Sequence, residues 1–382
     1  MTVIKNVKLS CHDEKADRVV VIENEKITDI SKTVPECADQ VIDGEGNILY
    51  RGLCDIHTHG ARLVDSSQAT AKEIASMQDW YSSCGVSYLF PTTATMSFEG
   101  VIQAVKNIKK ASEMVTKLEI SGVHIEGPFL SAARKGAHNE ALLKNPDIGL
   151  AKDVLHEAGN LKVRFTVAPE LDGAMEFIEF CTQNGIEVTM GHSVASSEVC
   201  LHAIEKGANC VTHTFNGMNP LHHREPGVLG TALAEDIYAE LICDGIHVDK
   251  TVVKLFAKAK GKDKTVLITD SVLLCGCEEG TSVLNSSGMK EQVVDGKIMN
   301  VEYNCLAGSS LALCNGVKNF MDFTGCSLDD AIKCASENPQ LCVGLDADKR
   351  ALKVGNEANL VMFTSDAKLV RTLYKGKTVY KA

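Results

Sequence analysis

Apolar residues recur in two rhythms along the chain. Near the N-terminus, short β-branched runs alternate with charged turns. Residues 19–22 and 26–30 flank Glu23, Asn24 and Glu25, which predicts a hairpin, and Val41-Ile42 adds a strand before the turn Asp43-Gly44-Glu45-Gly46. The C-terminus has the same texture, with runs at 358–363, 368–374 and 378–380 and a turn at Lys375-Gly376-Lys377. Two β-rich ends around a long middle predict one small β-sandwich domain built from residues 1–51 and 350–382.

The middle, residues 52–349, alternates β-branched runs with stretches of helical spacing, the pattern of parallel βα units. Eight strands are predicted, at 48–57, 87–91, 120–125, 163–167, 187–190, 210–213, 239–243 and 265–269. Helices are predicted between them, for example at 70–84, 100–114, 173–184, 196–206 and 250–260. Several close on Asn-Gly, Cys-Gly or Lys-Gly, a helix C-terminal signal. Eight such units with right-handed crossovers make an α/β fold of the (β/α)8 TIM-barrel type. A doubly wound sheet is the alternative, but no Gly-x-Gly-x-x-Gly follows the first strand. Beyond the eighth strand, residues 271–308 read as an excursion of β-hairpins with a turn at Asp295-Gly296. A helix to about residue 323 follows, then a second capped by Ser327 and ending before Asn338-Pro339.

Composition narrows the function classes. A chain of 382 residues, 45% hydrophobic and 23% charged, buries a full globular core. Its net charge of −11 argues against a nucleic-acid partner, so an anionic small molecule would need a local cluster of cations. Fifteen cysteines are scattered without framework spacing, and Cys275 and Cys277 lack the Cys-x-x-Cys of a zinc knuckle. Free thiols in that number fit a reducing cytosol. The N-terminus lacks a signal-peptide segment, and no run of about eighteen apolar residues could span a membrane. A cytoplasmic protein with no membrane partner is expected.

Barrels of this type carry their chemistry at the carboxyl ends of the strands. Strand one ends in Asp55-Ile-His57-Thr-His59-Gly60, where period-two alternation places both imidazoles on one face. Strand three ends in His124-Ile-Glu126, strand five in Gly191-His192-Ser193, and strand six in Thr212-His213-Thr-Phe-Asn216. Strand seven runs into Asp244-Gly-Ile-His247, and strand eight ends in Thr269-Asp270. Singly, each residue also fits a structural role: Glu126 and Asp270 as caps, His192 and His213 as hydrogen-bonded loop residues, His124 as a neighbour behind the site. Jointly they supply enough imidazole and carboxylate for a one- or two-metal centre.

The succession His-x-His, Glu-Gly-Pro-Phe, Gly-His-Ser, Thr-His-Thr-Phe-Asn, Asp-Gly-x-His and Thr-Asp resembles the amidohydrolase superfamily and, within it, the N-acetylglucosamine-6-phosphate deacetylase family. The likeness runs over essentially the whole chain. It implies metal ligands at Glu126, His192 and His213, and capacity for a second ion at His57 and His59 with Glu126 as the bridge. The implied cofactor is one or two divalent ions, zinc foremost, with iron or manganese as alternatives. Asp270 falls on the family's general acid/base, His138 on the position near the acyl carbonyl, and Ala137 on a substrate contact. Asn216, Gly217, His247, Leu306, Ala307 and Gly308 match sugar-phosphate contacts. Arg224 matches an arginine that reaches the phosphate in the neighbouring subunit, which implies a homodimer.

The implied reaction is hydrolysis of the N-acetyl group of N-acetylglucosamine 6-phosphate, in amino-sugar catabolism or cell-wall sugar recycling. Two departures from the family pattern stand out: Gly217 where alanine is expected after Asn216, and Ser271 where alanine is common after Asp270. The galactosamine epimer is the nearest alternative substrate. A cyclic-amide hydrolase is a more distant one, since strand four ends in Val167-Ala-Pro-Glu170 without the bridging lysine of that group. A non-catalytic scaffold has no chemical need of the full ligand set.

Overall fold

The computed structural model describes residues 1–285, 290–302 and 304–382, so the part of the expected hairpin excursion at 286–289 and 303 lies outside the described residues. Eight strands, at Leu53–Thr58, Val86–Thr93, Gly122–Glu126, Lys162–Val167, Glu187–Met190, Cys210–Val211, Tyr238–Ile242 and Thr265–Ile268, pair in parallel in chain order. The ring closes between the eighth and first strands through Asp270 N–H to the His57 carbonyl at 2.9 Å and a parallel bridge from Thr58 to Ser271. This is a (β/α)8 barrel.

Alternation along the strands sorts the two sides of the barrel wall. On the third, fourth and seventh strands Val123, Ile125, Val163, Phe165, Val167, Ala239 and Leu241 join the main apolar core beneath the helices. The intervening His124, Glu126, Arg164, Thr166 and Glu240 are all buried as well, His124 bonded to Thr166, Arg164 paired with Glu240 and Glu126 among histidines. Helices start where the sequence offers an acceptor: Thr70 and Glu73 form a capping box, and Ser97, Ser196, Asp249 and Ser327 each accept from the first turn.

The terminal segments form two four-stranded sheets. One orders Lys26–Ser31, Arg18–Glu23, Thr2–Val7 and Gln40–Asp43; the other orders Lys377–Lys381, Leu369–Tyr374, Leu360–Phe363 and Ile48–Arg51. Ile4, Val20, Ile22 and Ile27 from the first meet Leu49, Leu360, Met362 and Leu373 from the second in one apolar cluster. The expected hairpin turn falls on Asn24 and Glu25, both in the left-handed region at φ 49° and 68°. The excursion after the barrel is a four-stranded antiparallel sheet, Ser282–Leu284, Lys290–Val294, Lys297–Asn300 and Cys305–Leu306, turning at Asp295-Gly296.

Several boundaries differ from the expectation. The apolar run expected as one strand at 48–57 is two strands, because Ile48–Arg51 pairs with Leu360–Phe363 whereas Leu53–Thr58 pairs in the barrel. The helix expected at 70–84 breaks at Met77 into Ala71–Ser76 and Gln78–Ser83. Strand six, expected to reach residue 213, stops at Val211, after which the chain turns with His213 at φ 27° and Phe215 at φ 82°. The helix capped by Ser327 ends before Asn338-Pro339 as expected, at Ala335, and a separate helix, Glu337–Cys342, carries Pro339 in its first turn, where a missing N–H costs nothing.

Candidate active site

Glu126 closes the third strand, and its two carboxylate oxygens face different histidines. Oε1 lies 2.9 Å from His213 Nε2 and 3.3 Å from His192 Nε2. Oε2 lies 3.0 Å from His59 Nε2, 3.5 Å from His57 Nε2 and 3.6 Å from His138 Nε2. Asp270 joins this second group, with Oδ1 3.4 Å and 3.3 Å from the Nε2 atoms of His57 and His59. Two donor sets result, His57-His59-Glu126-Asp270 and Glu126-His192-His213, each with ligand atoms within 4.8 Å of one another.

The donor chemistry fits a divalent ion. His192 Nδ1 lies 2.7 Å from the Arg134 carbonyl, which can only accept, so Nδ1 carries a hydrogen and, in the neutral ring, Nε2 presents its lone pair. That Nε2 sits 3.0 Å from His213 Nε2. His57 Nε2 is wholly buried without a hydrogen-bond partner. A tetrahedral ion with bonds of about 2.1 Å sets its ligand atoms roughly 3.4 Å apart, close to these separations. Imidazole and carboxylate suit zinc, iron or manganese.

The backbone bends to present these groups. His192, His213 and Asp270 take φ of 47°, 27° and 48°, a region that costs a side-chain-bearing residue about 1–3 kcal/mol. Hydrogen bonds hold each turn: Ser131 N–H to the His192 carbonyl at 2.9 Å, His213 N–H to Glu240 Oε2 at 3.0 Å, and Asp270 N–H to the His57 carbonyl at 2.9 Å. Burial opposes charge on His59, Glu126 and Asp270, yet mutual attraction prevails. Burial lowers the His59 pKa, but Asp270 and Glu126 outweigh it and carry the imidazole up to about 9. Glu126 and Asp270 are held below the usual carboxylate range against their burial, chiefly by His57. Metal binding to such a cluster exchanges protons for the ion.

Above the cluster lies a cavity of about 270 Å³. His59, Glu126, His192, His213 and Asp270 line it, as do Ala137, His138, Asn216, Gly217, His247, Leu306, Ala307 and Gly308, while His57 lies beneath with no exposure. Arg224 stands apart from this cavity, exposed, with Nη1 2.7 Å from His223 Nε2. Among the described residues no lysine or arginine lines the cavity.

Three side chains on the wall have defined polarity. His138 Nδ1 receives the Thr95 main-chain N–H at 3.3 Å and lies 2.8 Å from Thr95 Oγ1, so the ring hydrogen sits on Nε2, toward Glu126. Burial holds its pKa down to about 4, against the pull of Glu126. His247 directs Nδ1 to Asp244 Oδ2 at 2.6 Å. Gly217, at φ 62°, leaves room for the His192 ring: a Cβ there would stand 2.9 Å from His192 Nδ1. Ser271 is buried, with Oγ 2.7 Å from Thr58 Oγ1 and donating to the Gly60 carbonyl at 3.1 Å, so it ties strand eight to strand one.

Sequence reasoning passed over Thr95, Glu291, Arg164 and Glu240. Thr95 and Glu291 line the cavity, the latter from the hairpin sheet with its carboxyl pushed up by burial. Arg164 and Glu240 sit mid-strand between apolar neighbours and are fully buried. A readable signal existed for that pair, since two opposite charges within buried strands require one another.

The comparisons with known proteins follow the same lines. The amidohydrolase family model matches residues 48–379. The N-acetylglucosamine-6-phosphate deacetylase of Bacillus subtilis is 34% identical over 385 residues, covering 99% of this chain and 96% of that protein. The human protein of the same name is 33% identical, covering 90% of this chain and 86% of its own. Among solved structures, N-acetylglucosamine-6-phosphate deacetylase from Pasteurella multocida superposes over 100% of both chains with a TM-score of 0.91 and 30% identity. A Mycobacterium smegmatis deacetylase mutant in complex with N-acetyl-D-glucosamine-6-phosphate covers 100% of this chain and 99% of its own, with a TM-score of 0.87 and 27% identity.

Proposed function

The chain belongs to the amidohydrolase family, and from that premise we propose that its cavity hydrolyses the N-acetyl group of N-acetylglucosamine 6-phosphate, releasing acetate and glucosamine 6-phosphate. The observation that carries this reading is the Glu126 carboxylate, with one oxygen turned to each of two histidine pairs and Asp270 beside one of them. Glu126, His192 and His213 would hold one divalent ion, and His57 and His59 with Glu126 a second. When bound, such an ion supplies a Lewis acid and lowers the pKa of water to about 7.

The chain's own groups divide the remaining work. Asp270, ionised at neutral pH, takes a proton from the attacking water and delivers it to the departing nitrogen as the C–N bond breaks. His138 donates its Nε2 hydrogen to the acyl oxygen, where negative charge develops. Asn216, Gly217, His247 and the segment Leu306-Ala307-Gly308 seat the sugar phosphate. That no lysine or arginine among the described residues lines the cavity supports a phosphate partner from outside, Arg224 of a second copy in a homodimer. Zinc is the first choice of metal. The small β domain of residues 1–51 and 350–382 and the catalytic barrel of 52–349 complete this reading.

A cytoplasmic setting suits fifteen free cysteines. Among the described residues no helix is long and apolar enough to cross a membrane. Acetate release from the glucosamine and galactosamine epimers, each as the 6-phosphate, tests the assignment. The glucosamine compound is the expected substrate; hydrolysis of the galactosamine compound alone would transfer the activity to the epimer.

A further inference from the structure

The barrel interior holds an ion pair that the reaction above does not use. Arg164 from the fourth strand and Glu240 from the seventh are both fully buried, and Arg164 Nη1 donates to Glu240 Oε1. Glu240 Oε2 has two further donors, His57 Nδ1 at 2.9 Å and the His213 main-chain N–H at 3.0 Å. An ionised carboxylate can only accept, so Nδ1 of His57 carries a hydrogen. When the ring is neutral, Nε2 is then a lone pair directed at the gap between Glu126 Oε2 and Asp270 Oδ1, 3.5 Å and 3.4 Å away. His124 packs edge-on against the same ring at 4.5 Å between centroids, and is itself fixed by Thr166 Oγ1 at 2.7 Å.

A buried ion pair of this kind adds little net stability, because desolvation offsets the attraction and well-packed apolar residues serve as well. An apolar pair could not offer His57 an acceptor. We infer that Glu240 is a positioning residue for metal loading: neutralised by Arg164, it fixes the His57 ring through Nδ1 and the turn at His213 through the main chain. One carboxylate from below thereby orients a ligand in each donor set. The inference rests on the metal-dependent reading of the site.

Glutamine at 240 cannot reproduce the arrangement. Its oxygen can serve His57 and His213 only if its NH2 confronts Arg164, and the flipped amide makes His57 Nδ1 an acceptor, which moves the ring hydrogen to Nε2. Glu240→Gln, and Arg164→Met with Glu240→Met as a charge-free replacement, are compared with wild type for metal ions per chain and for affinity in competition with a chelator. Circular dichroism establishes that each protein is folded. Both variants should bind metal about 10–100-fold more weakly, the usual cost of removing a partner behind a metal-bound histidine. A folded variant with wild-type number and affinity overturns the inference. Failure of wild type to bind any metal overturns the functional reading instead. Independently of either variant, zinc-loaded wild type should show a hydrogen-bonded imidazole N–H proton resonance that His57→Asn removes; its absence from wild type also overturns the role.

Discussion

His138→Ala probes whether the loop over the cavity acts on the reaction or merely covers it. The ring is anchored at Nδ1 by Thr95, 3.3 Å from the main-chain nitrogen and 2.8 Å from Oγ1, which leaves Nε2–H as a donor. At 3.6 Å from Glu126 Oε2 that hydrogen is not committed to a strong bond, so it is free to meet a carbonyl oxygen. Loss of one preorganised donor at an oxyanion costs about 2.7–4 kcal/mol, or roughly 10²–10³ in kcat. The interaction strengthens as charge develops, so KM should change little. Thr95→Val removes one of the two anchors and should cost less, about 3–10-fold in kcat. With pKa held near 4, the ring stays neutral from pH 5 to 8, and the His138-dependent share of activity should be flat across that range. Steady-state acetate release at matched metal content reads all three effects. A His138→Ala enzyme with full metal and kcat within about threefold of wild type would refute the donor role.

Three further outcomes follow from the same geometry. Asp270→Asn should lower kcat by about 10²–10⁴, the usual share of a general acid/base, while the protein still takes up metal; near-normal turnover removes Asp270 from proton transfer. Arg224→Ala should raise KM for the phosphorylated sugar at least tenfold and leave the unphosphorylated sugar unaffected, whereas equal effects on both would exclude a phosphate contact. Asp329 accepts from Ser10 Oγ, from Cys11 N–H at 2.9 Å and from Tyr50 Oη at 2.5 Å, and so fastens the N-terminal segment to the barrel. Burial raises its pKa, but these hydrogen bonds, led by Ser10, hold it below the usual carboxylate value. Its stabilisation is therefore present above the unfolded pKa of about 3.9 and lost as pH falls through the lower folded value. Asp329→Ala should cost about 1–2 kcal/mol at pH 7, reduced by partial exposure, with kcat unchanged; a melting-temperature difference from wild type that does not shrink toward pH 3 contradicts this.

Much of the architecture was legible because period and punctuation agree with tertiary context. The runs ending at Glu126, Met190 and Ile268 are strands buried by helices, and Asn24-Glu25 and Asp295-Gly296 are turns. The division of the first apolar run has a distant cause: a pairing partner far along the chain decides where the run is cut. Ile48–Arg51 belongs to Leu360–Phe363, more than 300 residues away, and no local feature stronger than Gly52 marks the change. The site divides in the same way. Strand-end histidines and carboxylates announce themselves by type and order. The left-handed turns at His192, His213 and Asp270 are invisible, because only a few per cent of residues with a side chain take that backbone and nothing beside these three marks them out. Arg164 and Glu240 could have been found: a lone charge in an apolar strand looks like a solvent-facing residue until its partner on another strand is considered.

Metal content and acetate release, measured on one preparation of the purified chain, test the central claim most directly. N-acetylglucosamine 6-phosphate is supplied before chelation, after chelation and after re-addition of zinc. The account predicts at least one divalent ion per chain, loss of turnover with the ion and recovery on its return. Undiminished turnover in a chain stripped of metal would contradict it.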